Sequence, residues 1–252
     1  MGDDAAVVQM ARTSYGAGTK TVSTDEALIR YLMRHHHTSP FEGAVAKFHI
    51  KCPILVARQL LRHRTASVNE ISARYSELPE EIYLPDLERF QEQSTDNKQG
   101  SGQPLTLATQ EHLQTLVEES NRRAYAEYQA LLDAGLAREI ARTVLPVGIY
   151  TEFYYMQDLH NLLHMLRLRM HEHAQKETRL FANQIGKIVA EWVPSTWGAF
   201  EDYRLNAVTF TAPEIKVLRE MLNETERGDA LANGLPRRER DEFYAKIRGI
   251  LQ

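Results

Sequence analysis

The chain has 252 residues, 43% hydrophobic and 25% charged, the mix of a globular protein large enough to bury a real core. Its net charge of −4 excludes a global field for nucleic acid, so any anion site must be a local arginine cluster. A single cysteine, Cys52, excludes an internal disulfide framework; no apolar run approaches the ~20 residues of a membrane span, and MGDDAAVVQM lacks a signal-peptide pattern, which together predict a cytoplasmic protein with no membrane partner.

Residues 3–14 read as a short helix. A second begins at Ser23 or Thr24, with Asp25 and Glu26 in the first turn, where carboxylates meet the positive end of the helix dipole. After Gly43 the chain alternates Ala44, Ala46, Phe48 and Ile50 against Val45, Lys47, His49 and Lys51, the period of a half-buried strand. Pro53 suits the first turn of a helix PILVARQLLRHR, which would set Arg62 one turn beyond Arg58 with Gln59 beside it. Residues 91–104, polar and rich in Gly, Ser and Gln, predict a mobile surface loop. A long helix from Leu105 ends at Gly135. LAREIARTVL predicts a helix stopped by Pro146, TEFYYMQ a strand, and Asp158 a cap for DLHNLLHMLRLRM. HAQKETRLFANQIGKIVAEW is an amphipathic helix closed by Pro194. The class is α+β, helix-rich with a small sheet: one domain over residues 1–210, then a charged helical tail over 211–252 interrupted at ANGLP.

One stretch breaks the apolar periodicity. RHRTASVNEISARYSEL, residues 62–78, carries three arginines, a histidine and four hydroxyl side chains directly after an apolar helix. Arg62, Arg64, Ser67, Asn69, Ser72 and Arg74 offer planar forks, hydroxyls and backbone N–H groups, the donors a phosphate and a hydrogen-bonding ring require. Glu70 among them can hold the arginines or accept a proton. Against this stands the reading of a solvated arginine-rich loop, which the density of the run disfavours. HHHTSPFE, residues 35–42, has consecutive histidines that point in different directions, so metal is disfavoured, while the Ser39-Pro40 turn leaves Ser39 and Glu42 free to face a site. His160 and His164 are spaced i, i+4, but Asn161 stands where a zincin needs glutamate. With Arg167 and His171 they make a polar stripe of the kind usually solvated, and Arg169 lies off it, nearer the apolar side. Arg138 and Arg142 are either surface charges or a second anion contact. No nucleophile stands out, and no glycine-rich phosphate turn is present.

RHRTASVNEISARYS resembles the RHRxxSxNExSxRYS signature of the flavin-dependent thymidylate synthases, and ARTSYG, HTSPFE, ARQLLRHR, ARTVLP, DLHNLLHMLRLR, HAQKE and WGAFEDYR agree in order over about residues 2–205. The resemblance implies a methyltransferase that makes dTMP from dUMP, with methylenetetrahydrofolate as carbon donor and FAD reduced by NADPH. It implies a homotetramer with active sites shared between subunits, residues 1–210 being the catalytic domain, and a further strand ahead of MGDD. It places dUMP on Gln59, Arg62, Glu70, Ser72, the Ala73 backbone, Arg74, Arg142 and Arg169. FAD falls on Ser14, Ser39, Glu42, Arg62, His63, Arg64, Glu70, Asp158, His160, His164 and His173. Arg169 and Ser72 are the catalytic candidates, and no metal is implied. Ala73 departs from the glycine often found at its position. The alternatives are a metal-dependent hydrolase using the histidines and an arginine-rich RNA-binding module; the first lacks a ligand set of known spacing, and the second should be basic with several aromatics near the arginines.

Overall fold

Asp3 starts the first helix, α1 (Asp4–Thr13), by accepting the N–H groups of Ala5 and Ala6, and Thr24 does the same for Ala27 in α2 (Asp25–Arg34). Both helices bury one stripe, Val7, Val8 and Ala11 in α1 and Leu28, Ile29, Leu32 and Met33 in α2. The computed structural model describes residues 1–14, 24–95, 98–222 and 237–251. Its backbone divides into two units, Met1–Leu205 and Asn206–Gln252.

The predicted alternation is realised as β1 (Val45–Pro53), followed by α3 (Ile54–Leu60) and β2 (Ser67–Glu70). A hairpin of β3 (Gln91–Gln93) and β4 (Ser101–Pro104) precedes the long helix α4 (Leu107–Asp133) and the short α5 (Arg138–Ala141). Then come β5 (Tyr150–Asp158), α6 (Leu159–Arg169), α7 (Lys176–Trp192) and α8 (Pro194–Phe200). The main sheet is antiparallel in the order β1-β5-β2, with Ile50 opposite Phe153 and Glu70 opposite the same Phe153 on the other side. One face buries Ile50, Cys52, Phe153 and Tyr155, while Lys47, His49, Lys51, Tyr154 and Met156 face outward, as the two-residue period requires. α6 lays Leu159, Leu162, Leu163 and Leu166 against the buried face, and α7 adds Ala182, Ile185 and Val189. Asp4 ties the two ends of the unit together by accepting Ser195 and Thr196 N–H at 2.8 and 2.9 Å.

Four local expectations change. α3 ends at Leu60 instead of running through RHR: its buried face is Val56, Ala57 and Leu60, and the next positions on that face, His63 and Arg64, are polar. Arg62 therefore lies in a turn closed by His63 N–H on Leu60 O, not one turn above Arg58, and Pro53 ends β1 rather than opening the helix. Within the predicted loop, Gln91–Gln93 and Ser101–Pro104 pair as antiparallel strands, and the Gln93 amide donates to Lys98 O and Gly100 O. The predicted helix 136–145 shrinks to α5 and a 3-10 turn, Arg142–Val144, since Leu145 precedes proline and is extended at φ −69°, ψ 137°. α4 does end where Gly135 takes φ +83°, a conformation that costs glycine little. Two tail helices, Ala212–Leu222 and Arg237–Leu251, are described, while the ANGLP interruption lies outside the described residues. Among the described residues no helix is long and apolar enough to cross a membrane.

Candidate functional site

The turn after α3 brings His63 to the end of α6, where Arg169 Nε donates to His63 Nε2 at 3.0 Å. That nitrogen must therefore be an acceptor, which leaves the ring neutral with its proton on Nδ1. Burial, then the Arg169 charge and His164, push His63 down to about 4. The His164 ring stands edge-on to it, with centroids 6.3 Å apart. A buried relay holds the same turn from below: Tyr155 OH donates to Gln157 Oε1 at 3.0 Å, and Gln157 Nε2 donates to Thr65 Oγ1 at 2.8 Å.

Further along the run, Glu70 Oε1 accepts the Thr151 hydroxyl from the neighbouring strand. Ser72 Oγ accepts the Arg74 N–H at 3.3 Å, and Arg74 itself pairs with Glu139 of α5 at 3.1 Å. Glu70, Ala73, Thr151 and Arg142 line a cavity of about 230 Å³, walled by apolar residues such as Ile54, Ile71 and Ile149.

A second cavity, about 210 Å³, opens beside α2 and α6. Leu32, Met33, Phe41 and Phe200 give it an apolar floor, and His36, His37, His160, His164, Arg167 and Arg204 give it a rim with no Asp or Glu. Arg204 Nη2 donates to Met33 O at 2.7 Å, while its Nη1 lies 3.1 Å from His36 Nε2. His36 holds φ +62°, the left-handed region that strains a residue with a Cβ. Burial and then Arg204 keep His36 below its ordinary pKa, and burial and then Arg167 lower that of Arg204. Uncompensated positive charge over an apolar floor suits an anion that carries a flat or apolar body.

The implied dUMP set therefore divides. Glu70, Ala73 and Arg142 share one cavity, and Arg74 and Ser72 lie just beyond it. Arg169 is engaged with His63 instead, and Gln59 donates its amide N–H to Gln175. Of the implied flavin set, His160 and His164 line the second cavity, and Ser39 and Glu42 sit exposed on the 3-10 turn Ser39–Gly43 that carries Phe41 into its floor. Arg62 and Arg64 are exposed on the turn with His63. Ser14 ends α1, His173 lies in the loop before α7 with its N–H on His171 Nδ1, and Asp158 spends its carboxylate on capping α6 through Asn161 at 2.9 and 2.7 Å. Arg167, read from the sequence as part of a solvated stripe, belongs to the cavity rim, and His36, His37 and Arg204 were missed. The positive-φ turn at His36 has no signal in residue type, whereas Arg204 stands inside the block WGAFEDYR.

A family model described as thymidylate synthase complementing protein matches residues 1–195. The flavin-dependent thymidylate synthase of Thermus thermophilus is 52% identical over 250 residues, 99% of this chain and 91% of that protein. The chain belongs to the flavin-dependent thymidylate synthase family. Another member, from Ruegeria pomeroyi, is 49% identical over 254 residues, covering 98% of this chain and 83% of its own. Among solved structures, a UMP/dUMP methylase, PolB of Streptomyces cacaoi bound with 5-Br UMP, superposes with a TM-score of 0.72 at 37% identity, over 80% of this chain and 90% of that one. The fold of the family is thus the helix-rich α+β arrangement described above, and the chain is an enzyme of that family. Of the rival readings, the hydrolase finds no converging group of three His, Cys, Asp or Glu among the described residues. The arginine run has one highly exposed aromatic neighbour, Tyr75, too few for a stacking surface on RNA.

Proposed function

We propose that this enzyme methylates dUMP to dTMP in the cytoplasm, taking the carbon from methylenetetrahydrofolate and the hydride from FAD that NADPH has reduced. The observation that carries the proposal is that one segment serves both cavities. Its start, His63, packs on His164 at the basic cavity, and its end, Glu70 and Ala73, lines the cavity that holds Arg142. A nucleotide and a flavin bound at the two ends of such a segment would be brought towards each other.

The basic cavity fits a flavin dinucleotide in its donor set, since an apolar floor accepts a ring and an acid-free rim accepts a diphosphate. His160, His164 and Arg204 would hold it there, with Ser39 and Glu42 on the adjoining turn. In the other cavity Arg142, with Arg74 beside it, offers guanidinium forks for the nucleotide phosphate. Glu70, oriented by Thr151, takes a hydrogen bond from the nucleotide. Arg169 keeps the rest of its guanidinium for a pyrimidine carbonyl, polarising the ring for reaction at C5. A bound reduced flavin would supply the hydride, and the chain would then need no nucleophile of its own. Cys52 is not one: burial, then Glu70, push its thiol up to about 12. Ser72 Oγ, which accepts the Arg74 N–H, is a holding group rather than an attacking one. The division of the dUMP set within one chain supports a homotetramer whose sites each draw groups from two subunits, and residues 1–210 form the catalytic part.

The purified enzyme should be yellow, with a flavin band near about 450 nm. It should form dTMP and oxidise NADPH faster when dUMP is added. Colourless active protein, or NADPH oxidation indifferent to saturating dUMP, would sink the proposal.

A further inference from the structure

Behind Gln59 lies a buried polar cluster outside both cavities. Glu177, in the first turn of α7, is 7% exposed and takes hydrogen bonds from four donors on three other residues. Arg89 gives two, from Nε at 2.6 Å and Nη2 at 3.3 Å, Tyr83 OH gives one at 3.0 Å, and Gln175 Nε2 gives one at 2.8 Å. Burial opposes the charge on Glu177, but the Arg89 bond and those from its own backbone and Gln175 outweigh it and hold the carboxyl down to about 2. It is an anion throughout the working range, and an anionic carboxylate only accepts.

That polarity propagates. Gln175 must turn its NH2 to Glu177, so its carbonyl oxygen is the end left for Gln59. Gln59 Nε2 donates to that oxygen, which leaves the Gln59 carbonyl as the group facing away from the cluster. A side-chain amide is otherwise free to flip, since its two ends have nearly the same shape. We infer that Glu177 is a positioning residue which, through Gln175, fixes Gln59 as a hydrogen-bond acceptor for a nucleotide donor, a sugar hydroxyl or the ring N–H. The inference rests on the proposed nucleotide role of Gln59. It adds why that residue presents its carbonyl to a nucleotide donor, with one N–H committed to Gln175.

The test is dUMP affinity of the flavin-loaded enzyme, measured by calorimetry for Gln59→Ala, Glu177→Gln, Gln175→Ala and the pairs with Gln59→Ala. Glu177→Gln strips Arg89 of its buried partner and threatens folding, so Gln175→Ala, at an exposed position, cuts the same chain more safely. Each single change should weaken dUMP about fivefold to tenfold, with flavin absorbance kept. In the Gln59→Ala background neither second change should cost more than about 1.5-fold, because both act through Gln59. Losses that multiply would make Glu177 and Gln175 merely structural and overturn the inference, as would a Gln59→Ala enzyme with unchanged affinity. Repeating the cycle with 2′,3′-dideoxyuridine monophosphate separates the sources: coupling that vanishes assigns the sugar hydroxyl, and coupling that persists assigns the ring N–H. A wild-type enzyme that binds flavin but no dUMP would remove the nucleotide reading and this inference together, a result distinct from multiplying losses in an enzyme that does bind.

Discussion

The two cavities are nearly equal in size, about 230 and 210 Å³, and opposite in electrical character. The first sets one acid, Glu70, near one base, Arg142, against apolar walls. The second gathers two arginines and four histidines with no acid among its lining residues. A pocket with both signs discriminates by pattern, since a ligand must match donors to acceptors. A pocket of one sign holds whatever brings enough opposite charge and fits the floor. The first therefore suits a substrate that must be distinguished and released at each turnover, and the second a cofactor that stays.

The comparison breaks most readily at the arginines. Arg142→Ala and Arg74→Ala should each weaken dUMP by roughly 1.5–3 kcal/mol, the range for hydrogen bonds to charged groups, with flavin content kept. Flavin loss with intact dUMP affinity would reverse the assignment of the cavities. Arg204→Ala, His63→Ala and Arg64→Ala should do the opposite, raising the flavin dissociation constant about tenfold, or about 1.4 kcal/mol, in fluorescence titrations.

Acid separates the two regions as well. His63, neutral in the fold with its pKa at about 4, refuses a proton that the unfolded chain takes at its ordinary value near 6.5. Stability should therefore fall as the pH drops from about 6.5 to about 4, and this contribution should stop changing below that. Glu177 has the same sign over a lower window. Its contribution is complete above the ordinary carboxyl value of 4.5 and is lost as the pH falls towards about 2. Melting followed by circular dichroism should show two stages, and His63→Gln should flatten only the upper one. An unchanged slope between pH 6.5 and 4 in that variant would rule His63 out. The smallest effect is expected at Cys52→Ala, which should keep dTMP formation within about tenfold, about 1.4 kcal/mol of barrier.

Much of this was legible in residue order, and the failures have a common cause. Alternation over residues 44–52, the cap at Asp158 and the stop at Gly135 are local signals, and the structure follows them. α3 ends early because the helix-forming tendency of RQLLRHR is overruled where its buried face meets the polar His63 and Arg64. Arg167 and the His36 turn were undervalued because a charged stripe reads the same whether it meets water or borders a cavity. Which of the two it does is decided by α2 and Phe200, distant in sequence. The network of Arg89, Tyr83 and Glu177 joins residues up to 94 positions apart, so nothing in its spacing announces it.

The sealed position of Cys52 has a practical side. The side chain is fully buried, and its thiol stays protonated at any pH at which alkylating reagents are used. Maleimides and similar dyes should leave the native enzyme unlabelled, so that a single cysteine introduced at exposed Tyr75 or His37 would be the one reactive handle on the protein. Fluorophores placed in turn beside the arginine run and on the basic rim could then report, in the same chain and without first deleting a natural thiol, the order in which its two ligands arrive.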